Sequence, residues 1–273
     1  MIKKAAVIGY PVKHSLSPRL HNYWLKKYNI KGEYTAIEVL PENLSEFIKS
    51  LDKNGFCGVN VTIPHKELVI LMLDEVEDMA RTIGAVNTVI VKDGKLLGKN
   101  TDAYGFAENI KPYIIGKRKA VVLGAGGASK AVIFALQILG FKEIIITNRT
   151  KERAEELVLS YQRTLVSSLT IADWNDRHKI LENVDLLVNT TSLGMIDKEP
   201  LGIDLSLLPK TALVTDIVYS PLITQLLAQA MERGNPTVDG LGMLLHQAVP
   251  AFEAWFGVKP EVTEDLRKYI LEK

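Results

Sequence analysis

Short apolar runs alternate with amphipathic stretches along this chain, and the clearest example lies near its middle. Residues 120–123 are apolar and lead into a glycine-rich turn at 124–129; a helical pattern then stops at Gly140, and a second apolar run covers 144–147. The order strand, glycine turn, helix, strand predicts the first βαβ unit of a dinucleotide-binding fold. Glycines in such a turn let backbone N–H groups approach a pyrophosphate at the positive end of the helix.

The residues after the second strand of this unit bear on the choice of cofactor. NAD-binding domains usually place Asp or Glu about 20 residues past the glycines, whereas this chain has Asn148 and Arg149 there, followed by Lys151 and Arg153. A carboxylate would repel a 2′-phosphate, and a guanidinium can bind one through paired, charge-assisted hydrogen bonds. The sequence therefore predicts NADP rather than NAD. The alternative is an ordinary solvated cluster at the start of a helix.

The first hundred residues continue the α/β pattern. They contain three further predicted strands, at residues 5–9, 33–39 and 58–62. Ser17 followed by Pro18 predicts an N-cap with proline at the first helical position, and the helix is expected to run to about Tyr28. Apolar runs on both sides of Asp93 and Gly94 predict a hairpin with a type I′ turn, so the parallel sheet is expected to carry an antiparallel edge.

Polar side chains fall at the ends of these predicted elements. Ser15 and Ser17 precede a helix, where hydroxyls and backbone N–H groups could hold a small carboxylate, although plain capping by Ser17 is an equal alternative. Asn60 and Thr62 share one face of a strand, and Lys66 follows the end of that strand. Open α/β folds keep their ligands at the carboxyl ends of parallel strands. These residues are therefore candidates for ligand binding.

A further helix is expected to begin at His65, with Leu68, Leu71 and Met72 turned inward. His65 could be a second acid or base. A histidine at this position more often faces solvent at the start of a helix, so we expect the solvent-facing arrangement and give His65 no role.

The second half of the chain adds two more predicted strands, at residues 184–188 and 213–218. Polar segments follow both of them, and these are expected to lie on the nicotinamide side of a cofactor site. After Pro221 the chain is expected to continue into a helix that ends near Arg233. Of His246 and Gln247, which are adjacent in a later helical segment, only one is expected to line a binding site.

Composition limits the class of protein. The chain has 273 residues with a net charge of +1, which gives no sign of a nucleic-acid or membrane partner. Cys57 is the single cysteine, so an internal disulfide is excluded and a reducing compartment is favoured. No run approaches the roughly 18 to 20 apolar residues of a membrane span. A cytoplasmic location is therefore expected, and no metal site is expected.

The elements predict an α/β protein with two α/β domains and a cleft between them. The N-terminal domain is expected to be a mostly parallel open-sheet substrate domain at residues 1–103, completed by C-terminal helices at 238–273. A Rossmann-like NADP-binding domain is expected at residues 104–237. A chain that leaves a domain and returns to it makes a two-segment hinge.

Several dispersed motifs make the chain similar to the shikimate dehydrogenase family over nearly its whole length. The motifs are Ser-Leu-Ser-Pro at 15–18, Asn-Val-Thr-Ile-Pro-His-Lys at 60–66, Gly-Ala-Val-Asn-Thr at 84–88, Asn-Thr-Asp at 100–102, Gly-Ala-Gly-Gly-Ala at 124–128, Asn-Arg-Thr at 148–150, and Gly-Leu-Gly-Met-Leu at 240–244 with Gln247. Members of this family reduce 3-dehydroshikimate with NADPH.

The chain departs from the family pattern at one visible position, because Thr224 is followed by Gln225 where the family often has proline. We expect it to alter only the start of a helix.

The resemblance implies roles for individual residues. Lys66 and Asp102 would be the catalytic pair, with Lys66 as the proton donor and Asp102 as the group that orients it. The substrate-binding residues would be Ser15 and Ser17 for the carboxylate, Asn60, Thr62, Asn87 and Gln247 for ring hydroxyls, and Tyr219 over the ring. The cofactor-binding residues would be Asp78, Gly124, Ala125, Gly126, Gly127, Ala128, Asn148, Arg149, Thr150, Lys151, Arg153, Thr190, Ile217, Gly240 and Met243.

Alternatives remain open at this stage. Lys66 and Asp102 could form an ordinary structural ion pair. The nearest rival function is a quinate/shikimate dehydrogenase that tolerates NAD, and a more distant one is a ligand-sensing homologue without catalysis. A methylene-tetrahydrofolate dehydrogenase of similar architecture is disfavoured, because the paired serines suit a small carboxylate. The expected partner is the small-molecule substrate, shikimate or 3-dehydroshikimate, and a homodimer is also expected.

Overall fold

The computed structural model describes residues 2–161 and 167–272, which fall into two compact units. Unit 1 comprises Met1–Gly105 and Leu244–Lys273, and unit 2 comprises Phe106–Met243. The division points lie a few residues after the predicted boundaries at 103/104 and 237/238. The reason is local: helices α4 (Asp102–Ile110) and α8 (Leu241–Phe256) each continue through a division point, so the units do not divide where the elements end.

Unit 1 contains a six-stranded sheet. Its strands are β1 (Lys3–Gly9), β2 (Gly32–Glu38), β3 (Phe56–Val61), β4 (Glu75–Val76), β5 (Thr88–Lys92) and β6 (Lys95–Lys99), in the order β2-β1-β3-β5-β6-β4. Strands β1, β2 and β3 are parallel, β5 runs antiparallel to β3, and β6 runs antiparallel to β5. Asp93 and Gly94 have φ of 53° and 75° between β5 and β6, which confirms the predicted type I′ turn.

The helices of unit 1 cover the sheet. They are α1 (Ser17–Lys27), α2 (Leu44–Lys49), α3 (Asp78–Ile83) and α9 (Glu264–Leu271), with most of α8, the first residues of α4, and 3₁₀ turns at Pro41–Asn43 and Leu68–Met72. Ile8 and Val59 from the sheet pack with Leu44 and Ile48 of α2 in one buried cluster. Removing this apolar surface from water is the main source of the unit's stability.

The predicted N-cap at Ser17 was wrong by one position. Ser17 is the first residue of α1, the N-cap position is Leu16, and Leu16 makes no side-chain capping bond. Instead, the Ser15 hydroxyl accepts a hydrogen bond from the N–H of Ser17 over 3.2 Å. Ser15 therefore satisfies one of the backbone donors that every helix start leaves open.

The segment after His65 also differs from its prediction. Only a 3₁₀ turn forms, at Leu68–Met72. Val69 is buried, and Met72 packs against the same cluster as predicted, whereas Leu68 and Leu71 are 47% and 86% exposed. A 3₁₀ helix has three residues per turn rather than 3.6, so the buried face differs from the one predicted. His65 is fully buried, contrary to the expectation that it faces solvent, and its Nε2 donates to the Val39 carbonyl over 2.7 Å.

Unit 2 is a doubly wound sheet of six parallel strands. They are β7 (Lys119–Leu123), β8 (Glu143–Thr147), β9 (Ser168–Ala172), β10 (Leu186–Asn189), β11 (Leu213–Asp216) and β12 (Thr237–Val238), in the order β12-β11-β10-β7-β8-β9. The helices are α5 (Gly127–Ile138), α6 (Lys151–Tyr161), α7 (Gln225–Arg233) and the rest of α4, with the first residues of α8 and 3₁₀ turns at Lys111–Tyr113, Trp174–Asp176 and Lys179–Leu181. The predicted βαβ unit is confirmed as β7-α5-β8. Strand order reverses between β7 and β10, and such a switch point leaves a crevice at the carboxyl ends of the strands.

Candidate active site

Unit 1 holds a close ion pair between Lys66 and Asp102. Lys66 Nζ lies 2.5 Å from Asp102 Oδ2, and the two side chains are 17% and 8% exposed. Asp102 is the first residue of α4, where the helix dipole favours a carboxylate. The Asn100 side chain accepts from the N–H groups of Asp102 and Ala103, which fixes this helix start. The pair is thus held in place, and the lysine side chain remains partly exposed.

Asn87 and Gln247 lie against the same carboxylate group. Asn87 Nδ2 donates to Asp102 Oδ1 over 2.8 Å, and it also lies 3.3 Å from Gln247 Oε1. The side-chain oxygen Oδ1 of Asn87 accepts from the N–H of Thr101 over 2.7 Å, which fixes the orientation of the side-chain amide. Gln247 comes from α8, more than 140 residues away along the chain from Thr101. The fold therefore brings these predicted residues together, and Gln247, rather than His246, is the one that joins the cluster.

Asn60 is held from both ends of its amide. Its Oδ1 accepts from the Tyr34 hydroxyl over 2.6 Å, and its Nδ2 donates to Thr88 Oγ1 and to the backbone carbonyl of Asn87. Both donors of the amide are used within the protein, so Asn60 can offer a ligand only a remaining acceptor position.

Tyr34, Thr88 and Thr101 connect the predicted residues, and none of the three was selected from the sequence. Thr88 Oγ1 lies 3.2 Å from Thr101 Oγ1, and Thr101 Oγ1 lies 3.0 Å from Asn87 Nδ2. Thr88 and Thr101 lie inside two of the quoted motifs, which could have drawn attention to them. Tyr34 lies in β2, outside every motif, and only the pairing of β1 with both β2 and β3 brings its strand near Asn60.

Two buried aromatic side chains support this cluster and have displaced pKa values. Burial raises the pKa of Tyr34 well above its usual value, and a side-chain hydrogen bond with Ser17 opposes the shift. His21 stacks on Tyr34 with ring centroids 4.0 Å apart, and burial lowers the pKa of His21 to about 3. At neutral pH both rings are therefore uncharged. Tyr34 thus has a neutral hydroxyl between Ser17 and Asn60.

Three other predicted residues of unit 1 are less enclosed. Ser15 and Thr62 are half-buried, while Asp78 is exposed as the first residue of α3. An acidic residue in the first turn of a helix is stabilised by the helix dipole, which is sufficient to account for Asp78. Its cofactor role stays a prediction.

In unit 2 the glycine turn connects β7 to the 12-residue helix α5. Gly124 has φ of +114°, and a Cβ there would lie 2.6 Å from Thr190 Oγ1, so only glycine suits the position. Ser129 Oγ accepts from the N–H of Gly126 over 3.0 Å and lies 2.7 Å from Thr190 Oγ1. Ser129 stands where the third glycine of the pattern Gly-x-Gly-x-x-Gly would be, and it joins the turn to the end of β10. A Cβ on Gly126 would meet no atom within 4 Å, which leaves the space at this helix start open to a ligand.

The cationic residues predicted to bind a 2′-phosphate lie beyond β8. Asn148 Nδ2 donates to the Thr150 carbonyl over 2.7 Å, which shapes the turn before α6. Arg149 is exposed and forms no ion pair with another residue in the described part of the chain, and Lys151 is exposed and lies 3.6 Å from Glu155. Arg153 is also exposed. Arg149 and Lys151 line a cavity of about 200 Å³. An open glycine turn at a helix start and exposed cationic groups beside a cavity fit a phosphorylated dinucleotide.

The ends of β10 and β11 are joined through a buried carboxylate. Asp216 accepts from Asn189 Nδ2, from the N–H of Val218 and from the Thr224 hydroxyl, over 3.0, 3.0 and 2.8 Å. Burial raises the pKa of Asp216, and these three donors oppose the shift. Thr224 is also the N-cap of α7, which begins at Gln225. The glutamine that departs from the family pattern therefore occupies an ordinary helix-start position, as expected.

Five of the predicted cofactor and substrate residues follow the strands β10, β11 and β12. Thr190 follows β10 and is 8% exposed, and Ile217 and Tyr219 follow β11 and are half-buried. Burial raises the pKa of Tyr219. Gly240 lies against the same segment, because a Cβ there would be 2.4 Å from the Ile217 carbonyl oxygen. Met243, on the next turn of chain, is 8% exposed.

Comparison with known protein families covers most of the chain. The shikimate dehydrogenase substrate binding domain matches residues 7–89, the shikimate / quinate 5-dehydrogenase domain matches 106–206, and the shikimate 5′-dehydrogenase C-terminal domain matches 240–267. A shikimate dehydrogenase (NADP⁺) of Paramagnetospirillum magneticum is 51% identical over 98% of this chain and 97% of its own length.

Solved structures give the same picture. Shikimate 5-dehydrogenase from Thermus thermophilus, in complex with NADP(H) and shikimate, is 37% identical with a TM-score of 0.88 and covers 98% of both chains. Quinate dehydrogenase from Corynebacterium glutamicum, in complex with NAD, is 30% identical with a TM-score of 0.91 and covers 99% of both chains.

None of the helices in the described residues is long and apolar enough to span a membrane.

Proposed function

Since the chain belongs to the shikimate dehydrogenase family, we propose which of its residues carry that family's reaction. The protein is an NADP-dependent oxidoreductase that interconverts 3-dehydroshikimate and shikimate, a step toward chorismate and the aromatic amino acids. The observation on which the residue roles depend is the ion pair between Lys66 and Asp102, enclosed by two amide side chains.

Lys66 is the proposed proton donor. NADPH, when bound, supplies a hydride to the ring carbonyl carbon. The Lys66 ammonium donates a hydrogen bond to the carbonyl oxygen, stabilises the negative charge that develops there, and transfers a proton to it. In the direction of shikimate oxidation, the neutral amine of Lys66 takes the proton from the hydroxyl. Lys66 keeps 17% of its side chain exposed, which leaves it a route to exchange that proton with solvent.

Asp102 is proposed to orient Lys66, and Asp102 and Asn87 are proposed to bind substrate hydroxyls beside it. Asp102 Oδ2 accepts a hydrogen bond from the Lys66 ammonium, and Asp102 Oδ1 accepts one from Asn87 Nδ2. A carboxylate held by two donors at a helix start is fixed in orientation, so it can also accept from a substrate hydroxyl without moving. Gln247, Asn60 and Thr62 are proposed to bind the remaining ring hydroxyls. Ser15 and Ser17 are proposed to bind the substrate carboxylate at the start of α1.

The cofactor residues are proposed on the same basis. The glycine turn (Gly124, Ala125, Gly126, Gly127 and Ala128) would hold the pyrophosphate at the start of α5, and Asn148, Arg149, Thr150, Lys151 and Arg153 would hold the 2′-phosphate and its ribose. Thr190, Ile217, Gly240 and Met243 would line the nicotinamide end, with Tyr219 over the substrate ring. The exposed guanidinium of Arg149 supports a preference for NADP over NAD, because no acidic residue stands at this position.

A direct assay tests the proposal. NADP reduction is followed by absorbance with shikimate as the only substrate, and the same reaction is repeated with NAD and with quinate. We expect shikimate with NADP to give by far the highest kcat/KM. Comparable rates with quinate and NAD would instead identify a quinate/shikimate dehydrogenase with relaxed cofactor use. Tight binding of shikimate without turnover would identify a ligand-sensing homologue.

Assembly, location and the roles of the two units complete the proposal. We propose a homodimer, which sedimentation equilibrium tests, and a cytoplasmic location, which cell fractionation tests. Unit 1 is proposed to bind the substrate and unit 2 the cofactor, in keeping with the family domains that match residues 7–89 and 106–206.

A further inference from the structure

Two neighbouring strands of unit 2 end in register, and the residues after both of them share one cavity. β8 and β9 are parallel, with Thr147 opposite Ala172 at their last pair. The chain leaves β8 through Asn148 and Arg149, and it leaves β9 through the segment 173–175. These residues, with Lys151 and Ala172, line the cavity of about 200 Å³. The sequence pattern and the family resemblance gave a role to the β8 side of the cavity and none to the β9 side.

Trp174 supplies the aromatic surface of this cavity, and the fold holds it rigidly. It is half-buried and packs against a buried apolar cluster of unit 2. The Arg177 guanidinium lies over its ring, 4.8 Å from the centroid, and Arg177 also donates to the carbonyls of Trp174 and Gly202 over 2.9 and 2.6 Å. A ring fixed in this way loses little further freedom when a ligand packs against it.

The charges in the cavity are unevenly distributed. Arg149 and Lys151 carry positive charge at the end of β8. On the β9 side, the Asp173 carboxylate accepts from the N–H of Asn175 over 2.8 Å, so its negative charge caps its own 3₁₀ turn. An anion is therefore favoured beside Arg149 and disfavoured beside Asp173. One cavity thus combines a cationic end with an aromatic end, which matches a nucleoside that carries a phosphate on its ribose.

We propose that Trp174 is the wall against which the adenine ring of the cofactor packs, while Arg149 binds the 2′-phosphate. The inference rests on the proposed function and extends it, because it adds a cofactor-binding residue on a strand end that the glycine and arginine motifs do not include. Base–aromatic packing is worth roughly one to three kcal/mol per base, or about a 5- to 150-fold change in affinity. Trp174 therefore contributes to the affinity for the adenosine half irrespective of the nicotinamide.

The probe is adenosine 2′,5′-bisphosphate, which has the adenine and the 2′-phosphate but no nicotinamide. It is titrated into the full chain, and binding is followed by tryptophan fluorescence and by calorimetry. The chain has three tryptophans; the other two, Trp24 and Trp255, are 0% and 2% exposed in unit 1. We expect the probe to cause a saturable change in tryptophan fluorescence in the parent chain and none in Trp174→Phe. Because Trp174→Phe keeps an aromatic ring, calorimetry should show that it still binds the probe within a few-fold of the parent affinity.

Trp174→Ala should raise the Kd for the probe about tenfold, while the control Arg118→Ala should leave it unchanged. Arg118 is an exposed cation that precedes β7, at the amino ends of the parallel strands, whereas Arg149 follows the carboxyl end of β8. The inference is overturned if Trp174→Phe keeps the full fluorescence change, if folded Trp174→Ala binds the probe as tightly as the parent, or if the parent does not bind it. Normal shikimate-dependent NADP reduction alongside any of these results would leave the proposed function standing and remove Trp174 alone.

Discussion

The hydroxyl of Tyr34 donates a hydrogen bond of 2.6 Å to Oδ1 of Asn60, and both side chains are buried. Tyr34 also hydrogen-bonds the Ser17 side chain. One hydroxyl therefore contacts a residue proposed to bind the substrate carboxylate and a residue proposed to bind a ring hydroxyl. From Asn60, further hydrogen bonds lead through Thr88 and Asn87 to the carboxylate of Asp102. Buried hydrogen bonds within unit 1 thus fix the orientation of the side chains that are proposed to bind the substrate.

Tyr34→Phe should weaken substrate binding more than it slows turnover. The change leaves Asn60 Oδ1 without its donor, and an unsatisfied buried acceptor costs about 1–3 kcal/mol. We expect the KM for shikimate to rise roughly fivefold or more, with the KM for NADP unchanged and kcat altered less. The matched control is Tyr28→Phe, whose hydroxyl accepts from the N–H of Glu261 in the same unit. Equal effects of both variants on the KM for shikimate would mean that Tyr34 acts only through stability.

Lys66→Ala should lower kcat by roughly 10² to 10⁴, which is the usual contribution of a general acid. The KM for shikimate should change much less, because the serines and amides remain. Steady-state kinetics with shikimate and NADP measure both constants. Lys95→Ala is the control, since Lys95 forms an exposed ion pair of 2.9 Å with Glu75 in the same unit. Near-normal turnover in Lys66→Ala would remove Lys66 from the proton-transfer role.

Arg149→Ala should raise the KM for NADPH steeply and leave that for NADH nearly unchanged. A guanidinium on a phosphate contributes about 1.5–3 kcal/mol, so we expect a rise of roughly 10- to 150-fold. The two reduced cofactors are compared at saturating 3-dehydroshikimate, with Arg118→Ala as the control. If both cofactors lose affinity equally, Arg149 does not contact the 2′-phosphate.

The buried His21 should make unit 1 less stable as the pH falls below neutral. Its pKa is lowered from 6.5 to about 3 because the folded state buries the ring, so between these values the unfolded chain binds a proton that the folded chain does not. This stabilisation is complete above pH 6.5 and is lost progressively as the pH falls toward 3. From pH 7 to pH 5 the free energy of unfolding should drop by about 2 kcal/mol on account of His21 alone.

Denaturant unfolding at the two pH values measures this loss. The Trp174→Phe background is suitable, because its remaining tryptophans, Trp24 and Trp255, both lie in unit 1. His21→Phe should remove about 2 kcal/mol of the pH dependence, whereas His14→Asn, at an exposed histidine, should retain it. An unchanged pH dependence in His21→Phe would show that His21 does not cause it.

The sequence by itself determined the elements whose signals are local. The glycine turn and its flanking apolar runs gave the βαβ unit of unit 2, because turn, strand and helix preferences act within about thirty residues. Asp93 and Gly94 gave the hairpin turn for the same reason, since only residues that tolerate positive φ suit it. The motif spacing also gave the family. Local signals failed at His65, which is buried because its ring donates to the carbonyl of Val39, distant in the chain. They also failed at Leu71, which is exposed because its segment forms a short 3₁₀ turn instead of an α-helix.

Only the tertiary structure decided which side chains contact one another within each unit. Asn87 and Gln247 are 160 residues apart in the chain, and Tyr34 and Asn60 lie on strands separated by β1. Trp174 reaches the cavity beside Arg149 because β8 and β9 end in register, a pairing that the polar sequence between them does not predict. Hydrogen bonds and packing over such separations depend on sheet order and helix position, which are set by burial of the whole core rather than by any one segment.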